Sequence, residues 1–123
     1  MFTPVEGLGF VSVHTADLAR ARAFYVDRLI CPVLHEDDDE IFVDLAGTPL
    51  CIHHDRDGSC GRPPGGPTGL YLQVADIQRT AADLRAVQVP SEPDGERFLE
   101  VRDPDGNLFV FWQPRVAWPP KTS

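Results

Sequence analysis

The chain has 123 residues, a length that forms one domain with a modest hydrophobic core. Its net charge of -8 disfavours a nucleic-acid partner and favours a neutral or cationic one, although the same charge also serves solubility alone. There is no apolar run long enough to cross a membrane, no basic leader, and only three cysteines without close pairing. We therefore expect a soluble, cytoplasmic protein without disulfides that binds neither nucleic acid nor membranes.

The first half of the chain predicts the element order βαβββ. Alternation of apolar residues predicts a strand over 10–14 with two different faces. Asp17 is the predicted N-cap of a helix whose apolar residues recur at helical spacing as far as Leu29. Three strands follow, the first two joined by a solvated acidic turn: 32–36, 41–46 and 47–54.

The second half repeats this order after a linker. Residues 56–67 are rich in glycine and proline and are predicted to form that linker. A strand over 70–73 precedes Asp76, the N-cap of a helix that ends near Ala86. Three strands complete the unit: 89–92, 98–102 and 107–112. The proline-rich tail over 114–123 is predicted to be irregular.

The two halves match each other at a constant spacing of 59 residues. Along that spacing Asp17 corresponds to Asp76 and Gly47 corresponds to Gly106, with no gap between them. Self-similarity over this length indicates a duplicated supersecondary unit. The sequence therefore predicts an α+β fold, a single domain built from two tandem βαβββ modules over about 5–55 and 68–113.

Three features carry a family resemblance: the paired βαβββ units, the Phe24-Tyr25 pair in the first helix, and the Asp-Pro-Asp-Gly-Asn turn at 103–107 before the last strand. Together they resemble the vicinal oxygen chelate superfamily, which includes glyoxalase I, extradiol dioxygenases, fosfomycin-resistance transferases and bleomycin-resistance proteins. The resemblance implies that each unit curls its strands into a half-open cup. It also implies that two cups, often from two chains of a homodimer, enclose the site.

The resemblance further implies where a metal would bind. Members that use a divalent metal place His, Gln or Glu side chains on the first and fourth strands of the units, facing the cup. The corresponding positions here are Phe10, Cys51, Gly69 and Val110. One thiol does not make a site, and the other three residues offer no lone pair to a cation. We therefore predict that the usual metal centre is absent, and we predict no cofactor.

Without that centre, the chain resembles the bleomycin-resistance branch, whose members bind a drug in a metal-free cup and sequester it. Alternation along the strands predicts an aromatic wall with a few polar groups, which suits a planar or cationic small molecule. The predicted ligand-binding residues are Phe10, Ser12, His14, His53, Tyr71, Gln73, Leu108, Val110 and Trp112, with Pro49, Cys51 and Gly69 on the same faces. For each aromatic residue, filling the core is an equally good explanation.

The histidines leave an alternative open. His14 and His53, with Cys51, could form an unusual metal site or a general base, whereas His35 and His54 are predicted to point elsewhere. A strand-borne histidine is more often a hydrogen-bonded wall residue.

The leading hypothesis is antibiotic or natural-product sequestration of the self-resistance type. The alternative is an enzyme of the same fold that works without the usual metal, with His14, His53 or Tyr71 as acid or base. A third hypothesis, a degenerate unit kept for binding a partner protein, predicts a collapsed cup that binds no small molecule.

Overall fold

The computed structural model describes residues 4–120, and the chain divides after Gly65 into two compact units. The first unit contains β1 (Val11–His14), α1 (Leu18–Arg22) continued by a π-helix (Ala23–Arg28), β2 (Val33–Glu36), β3 (Glu40–Leu45) and β4 (Thr48–His53). The second contains β5 (Gly66–Gln73), α2 (Ile77–Ala86), β6 (Ser91–Pro93), β7 (Phe98–Arg102) and β8 (Asn107–Trp112). Residues 114–120 of the tail have no regular element, and residues 121–123 of the predicted tail lie outside the described residues. No helix within 4–120 is long and apolar enough to cross a membrane.

Each unit forms a four-stranded mixed sheet within the described residues. The strand order is β1-β4-β3-β2 in the first and β5-β8-β7-β6 in the second, and only the first pair of each sheet is parallel. The parallel register repeats at the 59-residue spacing, because Val11 pairs with Leu50 and Leu70 pairs with Phe109. The predicted α+β fold with two βαβββ modules is confirmed.

Matching N-caps begin the two helices. The carboxylate of Asp17 accepts a hydrogen bond from the Arg20 N–H at 3.1 Å, and that of Asp76 accepts bonds from two N–H groups of α2. The first helix packs against β3 and β4, and α2 packs against β6 and β7. The strands contribute alternate apolar side chains to the cores, among them Val13, Ile41, Val43, Leu50 and Ile52 in the first unit and Leu99, Val101 and Phe109 in the second.

The first helix departs from the sequence prediction. Spacing predicts a regular helix to Leu29, but the N–H of Leu29 bonds to the carbonyl of Phe24 at 3.0 Å, which spans five residues. Phe24 and Tyr25 are both buried and lie edge-to-face with their centroids 4.9 Å apart. A regular α-helix rotates neighbouring side chains by about 100°. The wider π-turn lets both aromatic rings reach the core.

Some strand limits also differ. Phe10 precedes β1 instead of opening it, and β6 covers Ser91–Pro93 where the sequence predicts 89–92. Gly66 and Pro67 begin β5, although the sequence places them in the linker, because they pair with the first residues of β8. The pairing is interrupted between Pro67 and Leu70 by a bulge, which includes Gly69 at a φ of 75°.

Candidate functional site

The first unit presents a polar row at one end of its sheet. His14 on β1 lies opposite His53 on β4, which in turn lies opposite Glu40 on β3. The two imidazole rings are edge-to-face, with centroids 5.7 Å apart. Burial lowers the pKa of His14, the charges of His53 and Arg62 lower it further, and Asp55 opposes them. His14 is therefore neutral at pH 7 and does not repel a cation.

Cys51 occupies the next row, opposite Ser12 on β1 and Phe42 on β3. Its side chain is buried, and the thiol donates a hydrogen bond to Glu40 Oε2 at 3.4 Å. Burial, with further contributions from the hydrogen bond and the charge of Glu40, raises the pKa of the Cys51 thiol to about 12. Because the thiolate is the nucleophile, Cys51 is a poor nucleophile at neutral pH.

The positions where the resemblance implies a metal do not fit one. Phe10 and Val110 have hydrocarbon side chains, and Gly69 has none. The thiol of Cys51 is protonated and engaged with Glu40. A divalent cation needs several nitrogen, oxygen or thiolate donors at about 2.0–2.3 Å, and these four positions offer one at most, the Cys51 sulfur.

An aromatic patch lies on the same face of the first unit. Phe10, which is 53% exposed, packs edge-to-face against Phe42 with ring centroids 5.2 Å apart. The centroid of the His35 ring lies 6.2 Å from that of Phe42. With Leu34 and Pro49, these residues line a shallow concavity of about 340 Å³. The prediction that His35 points elsewhere is wrong, because an irregularity in β2 between Val33 and His35 places His35 opposite Phe42.

The second unit presents an aromatic face bordered by carboxylates. Tyr71 on β5 lies opposite Val110 on β8 and is 62% exposed. Its ring stands perpendicular to that of Phe98, with centroids 6.5 Å apart. These side chains line a concavity of about 330 Å³ together with Leu108 and Gly69. Two carboxylates, Asp94 and Glu100, line the same concavity.

Trp112 extends this face towards the end of β8. It lies opposite Gln73 and is partly buried, and its indole meets that of Trp118 edge-to-face at 5.1 Å. The predicted ligand-binding residues therefore fall into one group in each unit. The first holds Phe10, Ser12, His14 and His53, and the second holds Tyr71, Gln73, Leu108, Val110 and Trp112.

Sequence reasoning missed the contribution of the third strand of each unit. Glu40 and Phe42 on β3, and Phe98 and Glu100 on β7, share these faces with the predicted residues. The sequence does contain a signal for them, because partly exposed and buried residues alternate along both strands. Buried Ile41 follows Glu40 on β3, and the same pattern recurs on β7. Alternation separates the side chains of a strand into two faces. The pairing of β3 with β4, or of β7 with β8, then shows which of these faces carries the predicted ligand-binding residues.

Solved structures resemble this chain, whereas sequence families do not. No protein-family model matches it, and no curated protein sequence matches it significantly. A member of the glyoxalase/bleomycin resistance protein/dioxygenase superfamily from Sphaerobacter thermophilus has a TM-score of 0.75 and 24% identity, over 89% of this chain and 98% of that one. TnmS3, an antibiotic binding protein from Streptomyces sp. CB03234, has a TM-score of 0.73 and 23% identity, over 92% and 99%. The chain has the fold of this superfamily.

The glyoxalase/bleomycin resistance fold is found in proteins of more than one kind. A lactoylglutathione lyase from Agrobacterium tumefaciens is as similar in structure, with a TM-score of 0.73 and 18% identity over 96% of this chain and all of that one. The resemblance inferred from the sequence is thus confirmed as a shared fold. Function has to be argued from the side chains on the two sheet faces.

Proposed function

We propose that this protein binds a planar, cationic small molecule, such as an antibiotic or another natural product, and releases it unchanged. The observation that carries the proposal is the concavity of the second unit, in which Tyr71 and Phe98 lie beside Asp94 and Glu100. Aromatic faces attract a cation by about 0.5–2 kcal/mol each, and carboxylates add direct charge attraction. The antibiotic-binding neighbour TnmS3 supports a role of this kind.

Binding in this concavity needs no metal of the kind used elsewhere in the fold. Apolar stacking and charge attraction come from residues of β5, β7 and β8, together with Asp94, which follows β6. The net charge of -8 adds a field that attracts a cationic ligand. The ligand's ring and its positive charge are thus the two features that the site recognises.

The test is a fluorescence titration with matched ligands. Planar antibiotics with a basic group are titrated in parallel with neutral or acidic analogues of the same ring system, in the presence of EDTA. We expect saturable quenching of the tryptophan fluorescence, tighter binding of the cationic member of each pair, and intact ligand recovered after denaturation. Equal affinity across the pairs, binding that EDTA abolishes, or no saturable binding would contradict the proposal.

The polar row of the first unit supports a second candidate, a metal-free enzyme. Neutral His14 beside His53, with the carboxylate of Glu40 in the same row, is an arrangement that can accept and return a proton. If the protein is an enzyme, the ligand is consumed and His14→Ala stops turnover while binding persists. Recovery of unchanged ligand after prolonged incubation with wild-type protein would count against this candidate.

We further propose that the protein is a homodimer in the cytoplasm. Phe10 and Leu34 are each more than half exposed, and a second chain can cover such apolar surface. The exposed free thiol of Cys60 suits a reducing compartment. Analytical ultracentrifugation that finds only monomer at micromolar concentration would contradict the proposed dimer.

A further inference from the structure

The loop after β4 brings three different metal-binding groups together. A ring nitrogen of His53, a carboxylate oxygen of Asp55 and the sulfur of Cys60 all lie within 4.8 Å of one another. The Cys60 Sγ to His53 Nε2 distance is 3.8 Å. In a tetrahedral zinc site with bonds of about 2.0–2.3 Å, a nitrogen and a sulfur ligand are about 3.6 Å apart. The His53–Cys60 pair therefore needs only a few tenths of an ångström of adjustment to share one ion, and the Asp55 oxygen lies within 4.8 Å of both atoms.

Two consecutive turns hold Cys60 in this position. The Gly58 N–H bonds to the Asp55 carbonyl, and the Gly61 N–H bonds to the Gly58 carbonyl, both at 3.2 Å. Gly58 and Gly61 have φ values of 72° and 67°, a conformation that glycine adopts without strain. The loop consequently folds back on the end of β4, where His53 lies.

The carboxylate of Asp55 is oriented before any ion arrives. Its Oδ2 accepts hydrogen bonds from the N–H groups of Cys60 at 3.1 Å and Gly61 at 3.2 Å. Hydrogen bonds of this kind fix the direction of a ligating carboxylate and strengthen metal binding. The backbone of the cysteine thus positions the carboxylate, and the two ligands are built as one unit.

The donor set selects the kind of ion. One imidazole nitrogen, one carboxylate oxygen and one thiolate suit a borderline-soft cation such as Zn²⁺, whereas Ca²⁺ and Mg²⁺ require oxygen donors. The carboxylate and the thiolate together supply two negative charges, which match a divalent cation. Cys60 is exposed, so an ion can reach the group from solvent.

We propose that His53, Asp55 and Cys60 bind one Zn²⁺ ion in the loop that follows β4. Three protein ligands leave the fourth tetrahedral position open to water or a small anion. Of the three ligands, Asp55 also lines a concavity of about 430 Å³, together with His14 and Arg62. None of the three ligands occupies a position where other members of the fold hold their metal, so this is a separate site that does not depend on the proposed ligand binding.

Cobalt and zinc titrations of the reduced, untagged full chain test the site. We expect one equivalent of Co²⁺ to bind with thiolate-to-cobalt charge-transfer absorption, and Zn²⁺ to displace it. Cys60→Ser should abolish the charge-transfer absorption, while Cys31→Ser and Cys51→Ser keep it. Absence of charge transfer in the wild type, or its persistence in Cys60→Ser, would overturn the proposal.

A matched pair of loop variants separates ligation from charge. Asp55→Asn and Asp57→Asn each remove one negative charge from the same loop, and Asp57, which accepts a hydrogen bond from Ser59 N–H at 2.9 Å, is not one of the three proposed ligands. We expect Asp55→Asn and His53→Ala each to weaken Zn²⁺ binding by about 10–100-fold, the range found when groups that support a metal site are lost. Asp57→Asn should change it less than threefold, and equal losses in the two Asn variants would exclude Asp55 as a ligand. Circular dichroism verifies that each variant is folded.

Discussion

The two units of this protein share a backbone and differ in chemistry. Their sheets have the same strand order and the same parallel register, displaced by 59 residues. All four histidines and all three cysteines belong to the first unit, and both tryptophans belong to the second. The equivalent positions on the two faces are Ser12 and Tyr71, His14 and Gln73, Cys51 and Val110, and His53 and Trp112.

The difference shows which positions the fold constrains. The N-caps Asp17 and Asp76 and the turn glycines Gly47 and Gly106 are the same in both units, because they determine where helices and strands begin. The sheet faces carry no such requirement, so the first unit can carry His14 and His53 where the second carries Gln73 and Trp112. A duplicated fold thereby supports two kinds of site.

Thiol chemistry should be the largest measurable difference. Cys60 is exposed, whereas burial and Glu40 raise the pKa of Cys51 to about 12, which leaves very little of its thiol ionised at pH 8. Burial also raises the pKa of Cys31. We expect one thiol per chain to react quickly with iodoacetamide in metal-free protein, as measured by mass spectrometry.

Two variants control this assignment. Cys60→Ser should remove the fast reaction, and Glu40→Gln should accelerate modification of Cys51 by removing the neighbouring negative charge. Labelling of all three cysteines at similar rates would mean that the first unit is not packed as described.

The turns before the last strands should differ in stability. Asp103 is buried, and its carboxylate accepts hydrogen bonds from the Asp105 N–H at 3.0 Å, the Asn107 N–H at 2.9 Å and the Asn107 side-chain amide at 2.8 Å. Asp44 is the equivalent residue, and its carboxylate accepts a hydrogen bond from the Gly47 N–H at 2.8 Å. We expect Asp103→Ala to lower the free energy of unfolding by about 2–3 kcal/mol and Asp44→Ala by about 1 kcal/mol, in urea titrations. Equal losses would contradict the contrast between the turns.

Ligand affinity should distinguish the two aromatic faces. Tyr71→Ala removes an exposed ring next to Asp94 and Glu100, and we expect about tenfold weaker binding of a planar cation, since such contacts contribute about 1–2 kcal/mol. Tyr71→Phe keeps the ring and should retain most of the affinity. Phe10→Ala, in the first unit, is the matched control and should change affinity less than twofold. If Phe10→Ala weakens binding more than Tyr71→Ala does, the ligand binds to the first unit and not to the second.

The smallest effect concerns the hairpin that joins β3 and β4. Ala46 has a φ of 52° and Gly47 a φ of 91°, the two-residue turn in which asparagine followed by glycine is favoured. Ala46→Asn should stabilise the protein by about 0.5 kcal/mol, whereas Ala46→Val should destabilise it, because a β-branched residue is strained in this conformation. Both changes are measurable by thermal unfolding, and the same sign for both would contradict this description of the turn.

The sequence predicts those parts of the fold that local signals determine. Phe98–Arg102 and Asn107–Trp112 form strands within the predicted limits, because a proline- and glycine-containing turn separates two alternating runs. The caps at Asp17 and Asp76 are equally local. The predicted assignment of ligand-binding residues remains a proposal, since it depends on a ligand.

Features that depend on distant contacts were not predictable. The π-turn arises because Phe24 and Tyr25 are both buried in the core. The spacing of apolar residues along the helix does not predict that two adjacent side chains are buried. The irregularity before His35 reverses which face that ring occupies. The return of Cys60 to His53 depends on the Asp55 hydrogen bonds, whereas the composition of the segment indicated only a flexible linker.

The contact between Trp112 and Trp118 has an optical consequence. Two indoles whose centroids are 5.1 Å apart, with planes inclined at 81°, are close enough for their transition dipoles to couple. Such a pair gives an exciton couplet in the ultraviolet circular dichroism spectrum. Because both chromophores belong to the second unit, the couplet records whether residue 118 of the tail rests on β8, without any added label.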